Sequence, residues 1–212
     1  MKSFIMLIFL VISCANNSPK EFEGLIRYSE KLSVKRTDLV DEKKLRVIRG
    51  DIHKLYYKNG SFKLESNGKP AKITIYRNTD SLSYSYSVGI DTLFANNIHQ
   101  EKRSLDSLYF TGKSEMHLGK KTNELIQQVG KTAHSFYIDS TLYVNPKHYS
   151  KYKFGFFDAF YQKTKALYLK RTYESWVFRL EKVATKIEHK ALHDSIFKIP
   201  NFPVLNLDLE KR

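Results

Sequence analysis

Residues 53–65 read His-Lys-Leu-Tyr-Tyr-Lys-Asn-Gly-Ser-Phe-Lys-Leu-Glu, and this stretch decides the fold class. Two runs rich in apolar and aromatic residues, 53–58 and 61–65, flank the dipeptide Asn59-Gly60. Both residues of the dipeptide tolerate the positive φ that a two-residue hairpin turn needs, so it is a strong hairpin signal in this setting. The stretch therefore predicts two antiparallel strands joined by a tight turn.

Strand-like segments continue on both sides of this hairpin. In 82–87, Leu-Ser-Tyr-Ser-Tyr-Ser, apolar and polar residues alternate with a period of two. We predict strands at 21–34, 45–49, 72–77, 82–87, 92–94, 114–117, 123–129, 133–138, 142–144, 166–171 and 175–187. The tail at 194–200 is expected to pack back as an irregular edge.

Helical spacing is found in one region, 146–165. Its aromatic residues recur every three or four positions, which predicts one or two helical turns and then an amphipathic helix at 154–165. Together with the strands, this predicts a mainly β (α+β) fold. We expect a curved antiparallel sheet or half-barrel closed by one or two short helices.

The composition agrees with a β-sheet fold and limits the chemical classes of binding partner. The chain has 14 Tyr, 14 Phe and 1 Trp against 9 Gly and 5 Pro, and aromatic residues pack well across strands. Its formal net charge of +14 attracts anions such as lipid head groups, anionic polysaccharide or nucleic acid. We expect no nucleic-acid partner, because the N-terminus points to a lipoprotein.

The N-terminal residues predict a signal peptide. Residues 1–13 carry one positive charge and a short apolar run, too short for a membrane-spanning helix, and Cys14 follows. The sequence Val-Ile-Ser-Cys at 11–14 resembles a bacterial lipobox, which implies cleavage before Cys14, its lipidation and attachment to the membrane through that lipid. The alternative is a secretory signal with an incidental cysteine.

The predicted lipid anchor divides the chain into three parts. These are the signal peptide 1–13, a lipidated tether at 14–20 and a single β-rich domain at 21–212. Ala15 follows the cysteine and residues 15–19 carry no charge, so we expect the periplasmic face of the outer membrane, with the cell surface as the alternative. With one cysteine in the chain, no internal disulfide can form.

Motifs of catalysis and metal binding are missing from the sequence. There is no Gly-x-Ser-x-Gly elbow, no phosphate-binding glycine loop and no His-Glu-x-x-His pattern. His189 and His193 have a spacing of four that suits two metal ligands on one helical face, but we interpret them as structural or surface residues. We expect a non-enzymatic protein without metal or cofactor.

The segment 146–171 interleaves aromatic and basic residues, as a surface for an amphiphile would. The predicted ligand-binding residues are Tyr152, Phe156, Phe157, Phe160 and Tyr161. The predicted contacts to an anionic head group are Lys147, Lys151, Lys153 and Lys163. The alternative is an ordinary amphipathic helix whose aromatic residues complete the core and whose lysines stay in water.

Three short motifs carry a family resemblance. They are Phe22-x-Gly24-x-Ile26-x-Tyr28, then Leu118-Gly119-Lys120-Lys121, and Phe197-x-Ile199-Pro200 followed by Asn201. In this order they resemble small lipoproteins of the Bacteroidetes envelope, a group similar in strand order to the LolA/LolB-type lipoprotein carriers. The resemblance implies a half-barrel sheet closed by helices over an apolar concave face.

These features suggest a lipid-anchored envelope protein that binds or handles an amphiphile such as a lipid or an acyl chain. The alternative is a structural or assembly accessory that binds another envelope protein. An apolar cleft of a few hundred cubic ångströms beneath the helix would favour the first function, and a sheet filled by its own side chains the second.

The proposed anchor predicts the behaviour of a Cys14→Ser variant. This variant should remain uncleaved or be released as soluble protein, because no other segment reaches the roughly 20 apolar residues that span a bilayer. Membrane fractionation with a high-salt wash, next to the unaltered protein, measures the difference. A Cys14→Ser protein that still sediments with washed membranes would show that the anchor lies elsewhere.

Overall fold

The structure is a computed structural model and describes residues 19–206. The predicted signal peptide, Cys14 and most of the predicted tether lie outside the described residues, as do residues 207–212. Among residues 19–206, no helix combines the length and apolar character needed to cross a membrane.

Within residues 19–206, twelve strands form one sheet with the order β12-β6-β5-β4-β3-β2-β1-β11-β10-β9-β8-β7. Neighbours pair antiparallel, except that β12 lies parallel to β6. The strands are β1 Gly24–Val34, β2 Ile52–Lys58, β3 Ser61–Ser66, β4 Lys72–Tyr76, β5 Leu82–Ser87, β6 Leu93–Asn97, β7 Ser107–His117, β8 Lys120–Val129, β9 Thr132–Tyr143, β10 Ala166–Glu174, β11 Phe178–His189 and β12 Val204–Asn206. The α-helices are α1 Glu42–Arg49 and α2 Phe157–Thr164, and the 3-10 turns are Pro146–Tyr149, Phe154–Phe156 and Asp194–Phe197. The predicted fold class is confirmed.

The predicted hairpin is present as β2 and β3. Asn59 and Gly60 have φ of 45° and 75°, the left-handed values of a two-residue hairpin turn. The strands pair from Lys58↔Ser61 to His53↔Ser66, in line with the alternation of the sequence.

The prediction of a strand at 45–49 was wrong, because this segment belongs to α1. The Asp41 carboxylate accepts a hydrogen bond from the Lys44 N–H at 3.1 Å and caps the helix. Glu42 pairs with Arg46 one turn later at 2.6 Å, and Gly50 ends the helix at φ 73°. Capping and local ion pairing therefore outweighed the β-branched Val47 and Ile48.

The predicted helix at 154–165 is divided. Residues 154–156 form a 3-10 turn, and α2 begins only at Phe157. Gly155 and Phe156 interrupt regular helix geometry with φ of 68° and 61°. A third left-handed residue, Lys165 at φ 50°, ends α2 before β10.

The sheet is strongly curved, and contacts of α2 show how much. The Phe157 ring lies 6.3 Å from Phe62 on β3, and the Phe160 ring lies 4.8 Å from Phe136 on β9. Five strand spacings separate β3 from β9, about 24 Å in a flat sheet. Positions 157 and 160 are only about 4.5 Å apart along a helix axis, so the sheet must curl around α2.

The main core fills part of the concave face beneath α2. It includes Ile26, Leu125, Leu142 and Leu169, each 0% exposed. A smaller cluster on the opposite face of β4 contains Ile75, Leu192 and Phe197. The tail at 194–200 thus packs back onto the sheet through Phe197.

Strand β7 forms one edge of the sheet and is irregular. Its pairing with β8 shifts register between Phe110 and Ser114, and Gly112 lies in this break at φ 81°. Most side chains of β7 are exposed.

Two hairpin glycines provide a matched test of the turn at Asn59-Gly60. Gly60 and Gly119 have nearly equal φ of 75° and 74°, but a Cβ on Gly60 would lie 2.4 Å from the His148 Cβ, whereas a Cβ on Gly119 would meet no atom within 4 Å. Gly119→Ala should lower the free energy of unfolding by about 1 to 2 kcal/mol through the left-handed backbone alone.

Gly60→Ala should lower the free energy of unfolding by at least about 1 kcal/mol more than Gly119→Ala, because its Cβ would clash with His148. Urea unfolding of both variants measures the difference. Equal losses would contradict the close packing of His148 on the hairpin.

Candidate functional site

A cavity of about 430 Å³ lies beneath α2, on the concave face of the sheet. Of the 22 described residues that line it, twelve are aromatic and four are aliphatic. Small-molecule sites in proteins span about 300 to 1,000 Å³ and have mostly apolar walls. The cavity therefore has the size and lining of a ligand site.

The roof of the cavity comes from α2 and the turn before it. Phe160 and Tyr161 are 5% and 4% exposed and anchor the helix, with the Tyr161 ring stacked 4.1 Å from Tyr149. The preceding turn is tied at Gly155, whose N–H donates to Glu101 Oε2 at 2.8 Å and whose carbonyl accepts from Gln127. An eight-residue helix is marginal alone, so this packing holds the roof in place.

The structure brings four of the five predicted ligand-binding residues to the cavity. Phe156, Phe157, Phe160 and Tyr161 all line it. Tyr152 does not line it; its ring lies behind Phe157 at 4.9 Å and edge-on to Tyr76 at 4.7 Å.

The lower walls come from strands that the sequence did not connect with α2. Two of their tyrosines use their hydroxyls elsewhere: Tyr28 donates to the Tyr168 carbonyl at 3.0 Å, and Tyr57 donates to Glu21 Oε1 at 2.6 Å. Because these hydroxyls are satisfied, the two residues offer the cavity mainly the faces of their rings.

The four predicted head-group lysines do not line the cavity. Lys147, Lys151, Lys153 and Lys163 are exposed, and Lys153 forms an ion pair with Asp158. The cations that do line the cavity are Arg103, Arg171 and Lys182.

Arg171 and Lys182 lie directly opposite each other on β10 and β11. The same row continues to Glu30 on β1 and to Phe136 on β9. The register of β10 and β11 would have identified this pair as a candidate site, because like charges directly opposite each other across two strands are unfavourable.

Lys182 is a buried amine whose side chain is 11% exposed. Burial lowers the pKa of Lys182 to about 8, although Glu30, 3.5 Å away, opposes this shift. Burial also raises the pKa of Glu30, but hydrogen bonds with His53 and Arg49 outweigh it, and the pKa falls to about 2. Glu30 is therefore an anion shared by several cations.

His134 is the partner of Arg171. Nη2 of Arg171 donates to Nδ1 of His134 at 2.9 Å, and the guanidinium lies over the Phe136 ring at 5.4 Å. Burial, followed by the charges of Arg171 and Arg103, lowers the pKa of His134 to about 3. The ring is neutral near pH 7 and accepts the hydrogen bond.

The basic end of the cavity continues into a second pocket of about 290 Å³. Arg171, Tyr173 and Lys182 line both spaces. The combined site is apolar beneath α2 and cationic at this end.

The two histidines with metal-ligand spacing have separate contacts. The His189 ring packs edge-on against Phe22 at 5.1 Å, and Nδ1 of His193 accepts from the Ser195 N–H at 3.2 Å. Within residues 19–206, no group of three or more His, Cys, Asp or Glu side chains could hold a metal ion.

Comparisons with known proteins bear on the fold alone. No protein-family model and no curated protein matches the chain. A solved structure of PNGF-II is similar over 89% of this chain, with a TM-score of 0.53 and 11% identity. The chain spans about a third of PNGF-II, 33% of its length.

Two further solved structures are similar to this chain at lower scores. A LolA-superfamily protein from Nitrosomonas europaea has a TM-score of 0.38 and 6% identity, covering 84% of this chain and 91% of its own. LprF from Mycobacterium bovis has a TM-score of 0.34 and 7% identity, covering 80% and 88%.

The neutral state of His134 predicts a specific loss of stability in acid. The unfolded chain has a histidine pKa near 6.5 and binds a proton on going from pH 7 to 5, whereas folded His134, with a pKa of about 3, does not. The group should therefore contribute about 2 kcal/mol less stability at pH 5 than at pH 7.

His134→Gln keeps an acceptor for Arg171 but does not titrate. Its free energy of unfolding in urea should fall less between pH 7 and pH 5 than that of the unaltered protein. Glu30 titrates below this window, so it is nearly silent in the comparison. The same pH dependence in both proteins would contradict a neutral His134.

Proposed function

We propose that this protein is a non-enzymatic envelope lipoprotein that binds an amphiphile, a lipid or an acyl chain, in the cavity beneath α2. The single observation that carries the proposal is the cavity of about 430 Å³ with twelve aromatic lining residues. A core helix that only completed the fold would fill this space with its own side chains.

The energetics of the cavity favour an apolar ligand. Each methylene moved from water into apolar surroundings gains about 0.8 kcal/mol. Water placed against the rings of Phe136, Phe157 and Phe160 finds few hydrogen-bond partners, so an alkyl chain displaces it at little cost. Binding should therefore grow stronger with chain length until the cavity is full.

We further propose that the protein is held by a lipid on Cys14, at the periplasmic face of the outer membrane. The lipobox-like sequence at 11–14 supports the anchor, and Ala15 with the uncharged residues 15–19 supports this location. An anchored domain stays next to its source of amphiphiles. The cell surface is the alternative location.

The second candidate function, an assembly accessory that binds another envelope protein, is supported by α1. Val47 and Ile48 on this helix are 54% and 60% exposed, and nearby Leu39 is 53% exposed. Exposed apolar side chains in one region are common at protein contacts. Blocking the cavity would leave this function intact.

A cavity-blocking variant tests the proposed function. Leu64 on β3 lines the cavity, whereas Lys63 precedes it and points to the other face of the sheet. In the full chain carrying Cys14→Ser, Leu64→Trp should weaken binding of a fluorescent fatty acid at least tenfold, because the indole occupies the ligand's space. The matched control Lys63→Trp should change it less than twofold.

Fluorescence titration measures both affinities, and native mass spectrometry shows whether a hydrophobic ligand co-purifies. Equal binding by the two tryptophan variants would place the fatty acid outside the cavity. No binding by the unaltered cavity would leave the accessory function as the better candidate.

A further inference from the structure

The basic end of the cavity has an excess of positive charge. Among residues 19–206, the pocket next to the cavity is lined by three cationic side chains, Arg49, Arg171 and Lys182, and by one carboxylate, Glu30. Glu30 lies 2.8 Å from Arg49 and 3.5 Å from Lys182, so both share its charge. Placing like charges together in a partly buried site is unfavourable unless an anion joins them.

Arg171 is the cation of this pocket whose positive charge is least compensated by a neighbouring carboxylate. Its Nη2 atom donates to neutral His134, and its guanidinium lies over an aromatic ring. Its Nε atom is buried and has no hydrogen-bond partner among the described residues. A guanidinium offers several donors in one plane and suits the oxygens of a carboxylate or phosphate.

The two cations stand where the apolar cavity ends. Arg171 and Lys182 are cross-strand partners, and both line the cavity and the pocket next to it. An anion between them would lie at the mouth of the aromatic space, with Phe136 beside Arg171 in the same row of the sheet.

We propose that Arg171 and Lys182 bind the anionic head group, a carboxylate or a phosphate, of the amphiphile whose apolar part occupies the cavity beneath α2. This inference rests on the proposed function and assigns the charge of its ligand. The exposed lysines 147, 151, 153 and 163 then have no part in holding the head group.

Binding should depend on the protonation of Lys182. The charged groups that face this amine are Glu30 from β1, Arg171 from β10 and Arg49 from α1, and His53 of β2 lies beyond Glu30 at 3.3 Å. An anion stabilises the charged amine, whose pKa of about 8 in the free protein leaves it mostly neutral at pH 9. Affinity for an anionic amphiphile should therefore fall up to about tenfold from pH 7 to pH 9.

The proposal can be tested with three probes that share the same alkyl chain and differ in their head group: dodecanoate, dodecyl phosphate and dodecanol. The full chain carrying Cys14→Ser should bind the two anions at least tenfold more tightly than dodecanol at pH 7, measured by displacement of a fluorescent amphiphile below the micelle concentration. Only the anions should show the pH dependence. The stronger of the two anions identifies the head group as carboxylate or phosphate.

Arg171→Gln and Lys182→Gln should each remove most of the preference for anions while changing dodecanol affinity less than twofold. Unchanged dodecanol binding also shows that the variants fold. Lys186→Gln, which alters an exposed lysine of the same strand as Lys182, should keep the preference.

The results separate the two proposals. If the unaltered site binds dodecanol and dodecanoate equally, the head-group site is overturned and the apolar cavity stands. If no probe binds, the proposed function itself fails. If both variants lose dodecanol binding while Lys186→Gln retains it, Arg171 and Lys182 support the fold and not a head group, and the inference is likewise overturned.

Discussion

Aromatic residues of α2 pack against two strands that lie far apart in the sheet, and this packing curves the sheet around the helix. Phe157 packs towards Phe62 on β3 and Phe160 packs on Phe136 of β9, which brings together strands that lie five positions apart in the sheet. The concave face and its roof both follow from this bridge. The same rings line the cavity, so the interaction that curves the sheet also shapes the candidate ligand site.

The row of the sheet through Phe136 carries charged residues next to this aromatic packing. The next positions of this row are Arg171, Lys182 and Glu30. A wholly apolar row would have closed the core and gained stability. Partly buried cations in this row lower the stability of the fold. Buried ionisable groups with perturbed pKa values are typical of functional sites.

The sequence predicted those features that depend on neighbouring residues. The Asn59-Gly60 turn and the aromatic residues of α2 are examples, since each signal lies within a few positions. The helix α1 was missed because its β-branched residues suggested a strand, although Asp41 and the Glu42–Arg46 pair were readable signals. Arg171 and Lys182 were beyond reach because only the pairing of β10 with β11, set by packing along the whole sheet, places them together.

The irregular strand β7 limits backbone pairing between copies of the protein. An open sheet ends in two strands whose outer backbone groups could template further strands and so begin aggregation. Within residues 19–206 these edges are β7, broken at Gly112, and β12, only three residues long. Neither offers a long flat ladder to another molecule. Both features disfavour strand-to-strand pairing between copies of the protein and leave the concave face as the surface open to a ligand.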